Sequence, residues 1–261
     1  MEASVPENKT ALHLVRALVY EFVGSAVLLC AFNFTMTSYM ARAFAYFVAW
    51  LMCVSVSGAH FNPAVSLAVY LAEGKYARQI GRLLLYWLVQ LCGFFFGTLI
   101  VYMIFNNPVN AYLLWPMAQS PDVRIWFFSE KGNIYYGKIV FLEIFNTFLF
   151  VITYLFVIYK PSLRTVDEII KGLAVSLTLW ATYFMSAGSG ACMNPAFAIA
   201  QTAYQVGVLN ALGANGNGFA SLIWVYIVFP FVGAIIAAVW FRIHIYLDNK
   251  ALQPAAPEVQ V

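Results

Sequence analysis

Residues 58–64 read Gly58-Ala59-His60-Phe61-Asn62-Pro63-Ala64, and residues 190–196 read Gly190-Ala191-Cys192-Met193-Asn194-Pro195-Ala196. Each heptapeptide ends on a helix start. Asparagine is a preferred N-cap because its side-chain oxygen accepts a backbone N–H of the first turn, and proline suits the first helical position, where its missing donor is not needed. The apolar stretches that carry these motifs, residues 61–72 and 193–206, are short of the roughly twenty residues that cross a bilayer as a helix. A single Asn-Pro-Ala is an ordinary turn entering a helix. Two copies heading short apolar segments at matching places in the chain point instead to paired half-helices near a bilayer midplane.

Outward from the motifs, six longer apolar segments qualify as crossings, at about 13–34, 41–57, 83–105, 137–159, 170–187 and 221–245. Each half of the chain holds three of them and one half-helix. The correspondence continues residue by residue: Glu21, Phe22 and Ser25 are echoed by Glu143, Ile144 and Thr147, and Gln90 and Gly93 by Pro230 and Gly233. An odd number of crossings per half sets the halves in opposite orientation. The expected fold is therefore an all-α membrane protein of six transmembrane helices plus two re-entrant half-helices. It forms an inverted repeat, with the repeats at approximately 13–105 and 137–245 of a single domain over 1–261.

Composition agrees. Hydrophobic residues make up 63% of the 261 and charged residues only 10%, against about 25% charged in a typical soluble domain. No Asp, Glu, Lys or Arg falls in the seventy residues between Lys171 and Arg242, or in the thirty between Arg42 and Glu73. With six crossings and the termini inside, ten basic residues (Lys9, Arg16, Lys75, Arg78, Arg82, Lys160, Arg164, Lys171, Arg242, Lys250) lie on the inner side and four (Arg42, Arg124, Lys131, Lys138) outside. By the positive-inside rule both termini are cytosolic, and 1–12 and 247–261 are cytosolic tails. The first twelve residues lack the apolar core of a signal peptide. A net charge of +3 from scattered residues gives no reason to expect nucleic acid. Cys30, Cys53, Cys92 and Cys192 sit in apolar segments with neither a pairing nor a metal-ligand pattern.

Two caps meeting from opposite faces bring two positive helix ends and two side-chain NH₂ groups to one point. Cations are repelled there. A water can accept from Asn62 and Asn194 through its oxygen, which turns its hydrogens outward and interrupts a proton wire. Irregular backbone at 58–62 and 188–194 is tolerable in a membrane where it lines a wet cavity or is buried in protein, and its carbonyls could form a ladder for solutes.

With these motifs, Tyr86-Trp87, Gln90 and Gly93 in the third segment, and Trp224-Val225-Tyr226, Pro230 and Gly233-Ala234 in the sixth, the chain resembles the aquaporin (major intrinsic protein) family from Leu14 to about Ile245. The resemblance implies a single membrane channel domain of six tilted helices, assembled as a homotetramer with one pore per subunit. Such a channel passes water and in some members glycerol, urea, ammonia or hydrogen peroxide, with no cofactor and no metal. It implies a pore centre at Asn62, Pro63, Ala64, Asn194, Pro195 and Ala196. It also makes Glu21 and Glu143, with His60, braces of the re-entrant loops rather than proton relays.

The chain departs from the family at the outer constriction. The arginine that usually follows the second Asn-Pro-Ala is Phe197, the fifth-helix position is Thr182, and the loop position is Ala191. An ungapped count puts Arg42 at the second-helix position, and a gap of two puts Phe44 there. Arg42 then either restores the missing charge or snorkels to the outer interface. No Asp follows the second motif, as glycerol-conducting members usually have; Tyr226 resembles water channels and Ile227 glycerol channels.

The leading function is a passive channel for water and other small neutral solutes. Alternatives are a facilitator mainly of glycerol, urea, ammonia or hydrogen peroxide, and an ion-coupled secondary transporter, which the charge-free stretch opposes. No enzyme constellation is present. The expected partners are the bilayer, water and small solutes, in the plasma membrane or an organelle membrane, and residues 106–135 read as a cap over the outer vestibule.

Overall fold

The computed structural model describes residues 7–35, 38–105, 114, 136–159, 167–213 and 216–251. Eight α-helices are found among them: α1 Glu7–Phe34, α2 Tyr39–Ser57, α3 Pro63–Glu73, α4 Tyr76–Phe105, α5 Tyr136–Tyr159, α6 Glu168–Met185, α7 Pro195–Ala211 and α8 Ile223–Ala251. There is no strand among the described residues. The protein is an all-α membrane protein, with six long helices around the two short ones, α3 and α7.

Five of the long helices are apolar enough to cross a membrane by length and composition alone. The sixth, α6, is the shortest at 18 residues and carries Glu168, Lys171, Ser176, Thr178 and Thr182, which dilute its hydropathy. Several helices overrun their apolar stretches. α4 starts at Tyr76 rather than about 83, since Arg78, Gln79 and Arg82 are good helix formers outside the apolar window, and α7 runs to Ala211 and α8 to Ala251. Segment 106–135 lies outside the described residues except Leu114, as do residues 1–6 and 252–261.

The apolar outer surface is visible in the side chains. On α1, Leu12, Val15, Val19, Val23 and Val27 form an exposed apolar stripe, 37–62% accessible, where a water-soluble helix would be polar. The inner faces approach closely. A Cβ on Gly93 of α4 would meet Phe22 O of α1 at 2.3 Å and Ser25 Cβ at 2.9 Å; one on Gly233 of α8 would meet Ile144 O of α5 at 2.5 Å and Thr147 Cβ at 2.9 Å. Three positions that match between the halves in sequence (Phe22, Ser25 and Gly93; Ile144, Thr147 and Gly233) thus make the same close contact in each half. α1 packs along α4 and α5 along α8, and these are the most extensive helix pairs.

α3 and α7 start near one another inside this ring. α3 contacts α4, α5 and α8, and α7 contacts α4 and α8. Both begin on the motif asparagines, with Pro63 and Pro195 in the first turn.

Candidate functional site

The backbone entering each half-helix is contorted in the same way twice. Gly58 (φ 92°), Ala59 (56°) and Phe61 (49°) precede Asn62; Gly190 (103°), Ala191 (53°) and Met193 (50°) precede Asn194. A non-glycine residue in the left-handed region costs about 1–3 kcal/mol, so each loop must be held.

Two buried carboxylates do the holding. Glu21, on α1 and fully buried, accepts His60 N–H at 2.9 Å and Phe61 N–H at 2.7 Å. Glu143, on α5 and equally buried, accepts Cys192 N–H at 3.3 Å, Met193 N–H at 2.8 Å and the Ser189 hydroxyl at 2.7 Å. Gln90 Nε2 donates to Glu21 at 2.8 Å and to Ser66 Oγ at 2.9 Å. His60 is 7% exposed, and its Nδ1 lies 3.0 Å from Ser66 Oγ. These carboxylates therefore spend their lone pairs on donors of the loops, as a buried charge must.

Tyrosines hold the first loop from outside, a feature that sequence reasoning misses. Tyr86 donates to Ser57 O (2.9 Å), Tyr154 to Gly58 O (2.6 Å) and Tyr46 to Ala59 O (3.0 Å). In the second loop Tyr226 donates to Ser189 O. The available signal is the tyrosine itself: in an apolar helix a buried hydroxyl needs an acceptor. Carbonyls expected to form a solute ladder at 58 and 59 are thus already shared with hydroxyls.

At the meeting point the caps cross. Asn62 Oδ1 accepts Ala64 N–H at 2.8 Å, and Asn194 Oδ1 accepts Ala196 and Phe197 N–H at 3.1 and 3.3 Å. Each amide then donates to the opposite motif: Asn62 Nδ2 to Met193 O at 2.8 Å, and Asn194 Nδ2 to Phe61 O at 2.9 Å. An amide nitrogen has two hydrogens. One is spent on the partner loop, and one remains on each asparagine. Both asparagines line a cavity of about 20 Å³ with His60, Tyr183 and Cys192, room for about one water. Among the described residues no group of three His, Cys, Asp or Glu is placed to hold a metal.

Phe197, 1% exposed, stacks at 4.2 Å on Phe32 of α1, which in turn meets Tyr183 at 5.3 Å. The Arg42 guanidinium lies 4.6 Å from the Phe32 ring centre and 5.3 Å from that of Tyr39. Arg42 is 1% exposed, so it does not snorkel. The gapped alternative is corrected as well: Phe44 is 51% exposed and lies in a surface cleft with Phe47, Leu177 and Trp180. A helix turns about 100° per residue, and two positions separate a buried side chain from an outward one. Thr182 is buried with its hydroxyl donating to Leu179 O at 2.9 Å, and Ala191 is fully buried.

The model of the major intrinsic protein family matches residues 8–241. This chain belongs to the major intrinsic protein family. It is a membrane channel protein of the kind that passes water or small solutes, and not an enzyme. Among relatives, a probable aquaporin TIP-type alpha of Phaseolus vulgaris is 29% identical over 206 residues, 78% of this chain and 68% of that one. A glycerol uptake facilitator protein of Buchnera aphidicola is 38% identical over 66 residues, 25% of this chain and 24% of that one. The X-ray structure of the aquaglyceroporin from Plasmodium falciparum shares the fold, with a TM-score of 0.67 at 21% identity over 90% of this chain and 99% of that one.

Proposed function

We propose that this member of the major intrinsic protein family conducts water and other small neutral solutes passively, through a pore that passes between Asn62 and Asn194. The crossed amide bonds carry the reading. They fix both side chains so that the remaining N–H of each is a donor at one narrow point, flanked by the positive ends of α3 and α7. A neutral molecule with an acceptor oxygen is stabilised there, and a cation meets only donors.

In this reading Glu21, Glu143 and His60 brace the loops, and Phe197, Thr182, Ala191 and Arg42 form the outer constriction. Arg42 then supplies from α2 the positive charge that position 197 lacks. The whole chain is one channel domain with repeats at about 13–105 and 137–245, both termini cytosolic, assembled as a homotetramer. A second reading, a facilitator mainly of glycerol or similar solutes, draws support from Phe197: an aromatic in place of a guanidinium gives an apolar flank to a carbon backbone, and the names of two similar proteins point the same way. A coupled transporter is disfavoured by the lack of charged residues from 172 to 241.

Stopped-flow light scattering on proteoliposomes, under gradients of water, glycerol, urea and ammonia, tests the proposal. Facilitated flux that saturates weakly and never runs uphill is expected. Accumulation of any solute driven by a proton or sodium gradient overturns it.

A further inference from the structure

Away from the central cavity, three helix ends converge on a basic cleft. The start of α1, the end of α2 and the start of α4 enclose an open space of about 780 Å³, with Lys75, Arg78, Arg82 and His13 on its polar side. Leu14, Ala17 and Val56 form its apolar wall. Among the described residues no carboxylate lines it, and neither Lys75 nor Arg78 makes an ion pair. The nearest acid in sequence, Glu73, lines the smaller cavity beside this cleft with Gln79 and Arg82, and its two oxygens take the Tyr159 hydroxyl and the Gln79 amide.

The helix itself adds to the positive field. α4 begins at Tyr76, and Lys75 C=O accepts from Gln79 N, which makes Lys75 the cap. Lysine has no acceptor to offer the first-turn N–H groups. A 30-residue helix thus opens at the cleft with its positive end served by a cation rather than by Ser, Asp or Asn. That arrangement opposes helix stability unless an anion is nearby. Arg82 uses one nitrogen on the Tyr86 hydroxyl, at 3.0 Å, and borders both this cleft and a smaller cavity that it shares with Glu73.

The position selects the kind of anion. His13 lies at the start of the α1 span, Lys75 and Arg78 at the start of the α4 span, so the cleft sits where apolar helix surface gives way to polar. A ligand that fills it meets phosphate-binding groups on one side and an aliphatic wall on the other. We propose that this cleft holds the phosphorylated headgroup of an anionic membrane lipid, with Lys75, Arg78 and Arg82 on the phosphates and Leu14, Ala17 and Val56 against the chains below.

Native mass spectrometry of the full-length protein in detergent tests this without reference to transport. The protein is loaded at equal concentration with short-chain phosphatidylinositol bisphosphate, phosphatidylserine or phosphatidylcholine, and separately with inositol trisphosphate or inorganic phosphate. Preferential retention of the phosphoinositide is expected, with apparent affinity falling as salt is raised. At roughly fivefold per basic side chain, the double variant Lys75→Gln/Arg78→Gln weakens retention about 25-fold. Lys250→Gln, outside the cleft, leaves it unchanged. Equal retention of phosphatidylcholine by the wild-type protein overturns the proposal, and so does undiminished retention by a double variant that elutes as the wild type does. Soluble phosphates that bind as tightly as the lipid overturn the assignment to a membrane headgroup.

Discussion

Replacing Glu143 by glutamine tests how the second re-entrant loop is held. The carboxylate accepts Met193 N–H, Ser189 O–H and, at longer range, Cys192 N–H. Hydrogen bonds to a charged group contribute about 1.5–3 kcal/mol each. Glutamine keeps one acceptor oxygen and turns an NH₂ toward a backbone donor, so at least one of the strong bonds is lost and a donor faces a donor. Removing a buried charge recovers part of its desolvation cost, which leaves a net destabilisation of about 2–4 kcal/mol. The loop it supports holds Ala191 and Met193 at φ 53° and 50°, and Met193 O is the acceptor for Asn62. A released loop therefore loosens the crossed caps as well. For a chain of this size about 2–4 °C of melting temperature corresponds to 1 kcal/mol, so thermal unfolding in detergent should drop by about 5–15 °C, and water flux should fall with it. Glu21→Gln should be destabilising too, because either orientation of the new amide sets its NH₂ against the His60 or the Phe61 N–H, and a flip of Gln90 relieves only the contact between the two amides. A melting temperature within about 1 °C of wild type with normal flux in Glu143→Gln would refute the reasoning.

Three further outcomes follow. Asn62→Asp or Asn194→Asp preserves the N-cap acceptor but removes the donor to Met193 O or Phe61 O, so cation leak should rise and water flux fall in a liposome assay; unchanged values in both variants contradict the pore centre. Arg42→Ala should raise urea and glycerol passage relative to water severalfold, whereas an unchanged ratio removes Arg42 from the constriction. Gly93→Ala should destabilise by about 1–3 kcal/mol or more through overpacking, since its Cβ would meet Phe22 O at 2.3 Å, while Gly81→Ala, with nothing within 4 Å, should be neutral or stabilising in the same thermal assay.

Hydropathy and the duplicated motif made the bundle readable. An apolar run long enough to span, or too short to span and headed by Asn-Pro, carries its meaning locally. The overrun of α4 to Tyr76 and of α8 to Ala251 was not readable that way, since the end of a helix and the end of its apolar stretch are set by different physics. The site divides along the same line. Glu21 and Glu143 stand out because a carboxylate in a membrane helix demands partners, but the tyrosines on Ser57, Gly58 and Ala59 O are unremarkable among sixteen tyrosines. Arg42 was undecidable from sequence: a basic residue near a helix end snorkels unless other helices enclose it, and the enclosing Phe32 belongs to α1. The hydrogen bond of each motif amide to the opposite loop also depends on two distant segments meeting, whereas the sequence shows only that the two NH₂ groups come to one point.

The most direct test is water and proton permeability measured together on proteoliposomes of the wild-type protein, by light scattering and an entrapped pH dye. The crossed caps predict osmotic water flux well above that of empty vesicles, with a proton leak no greater than theirs. Water flux at the empty-vesicle rate, or proton flux that rises in step with water flux, would contradict the account.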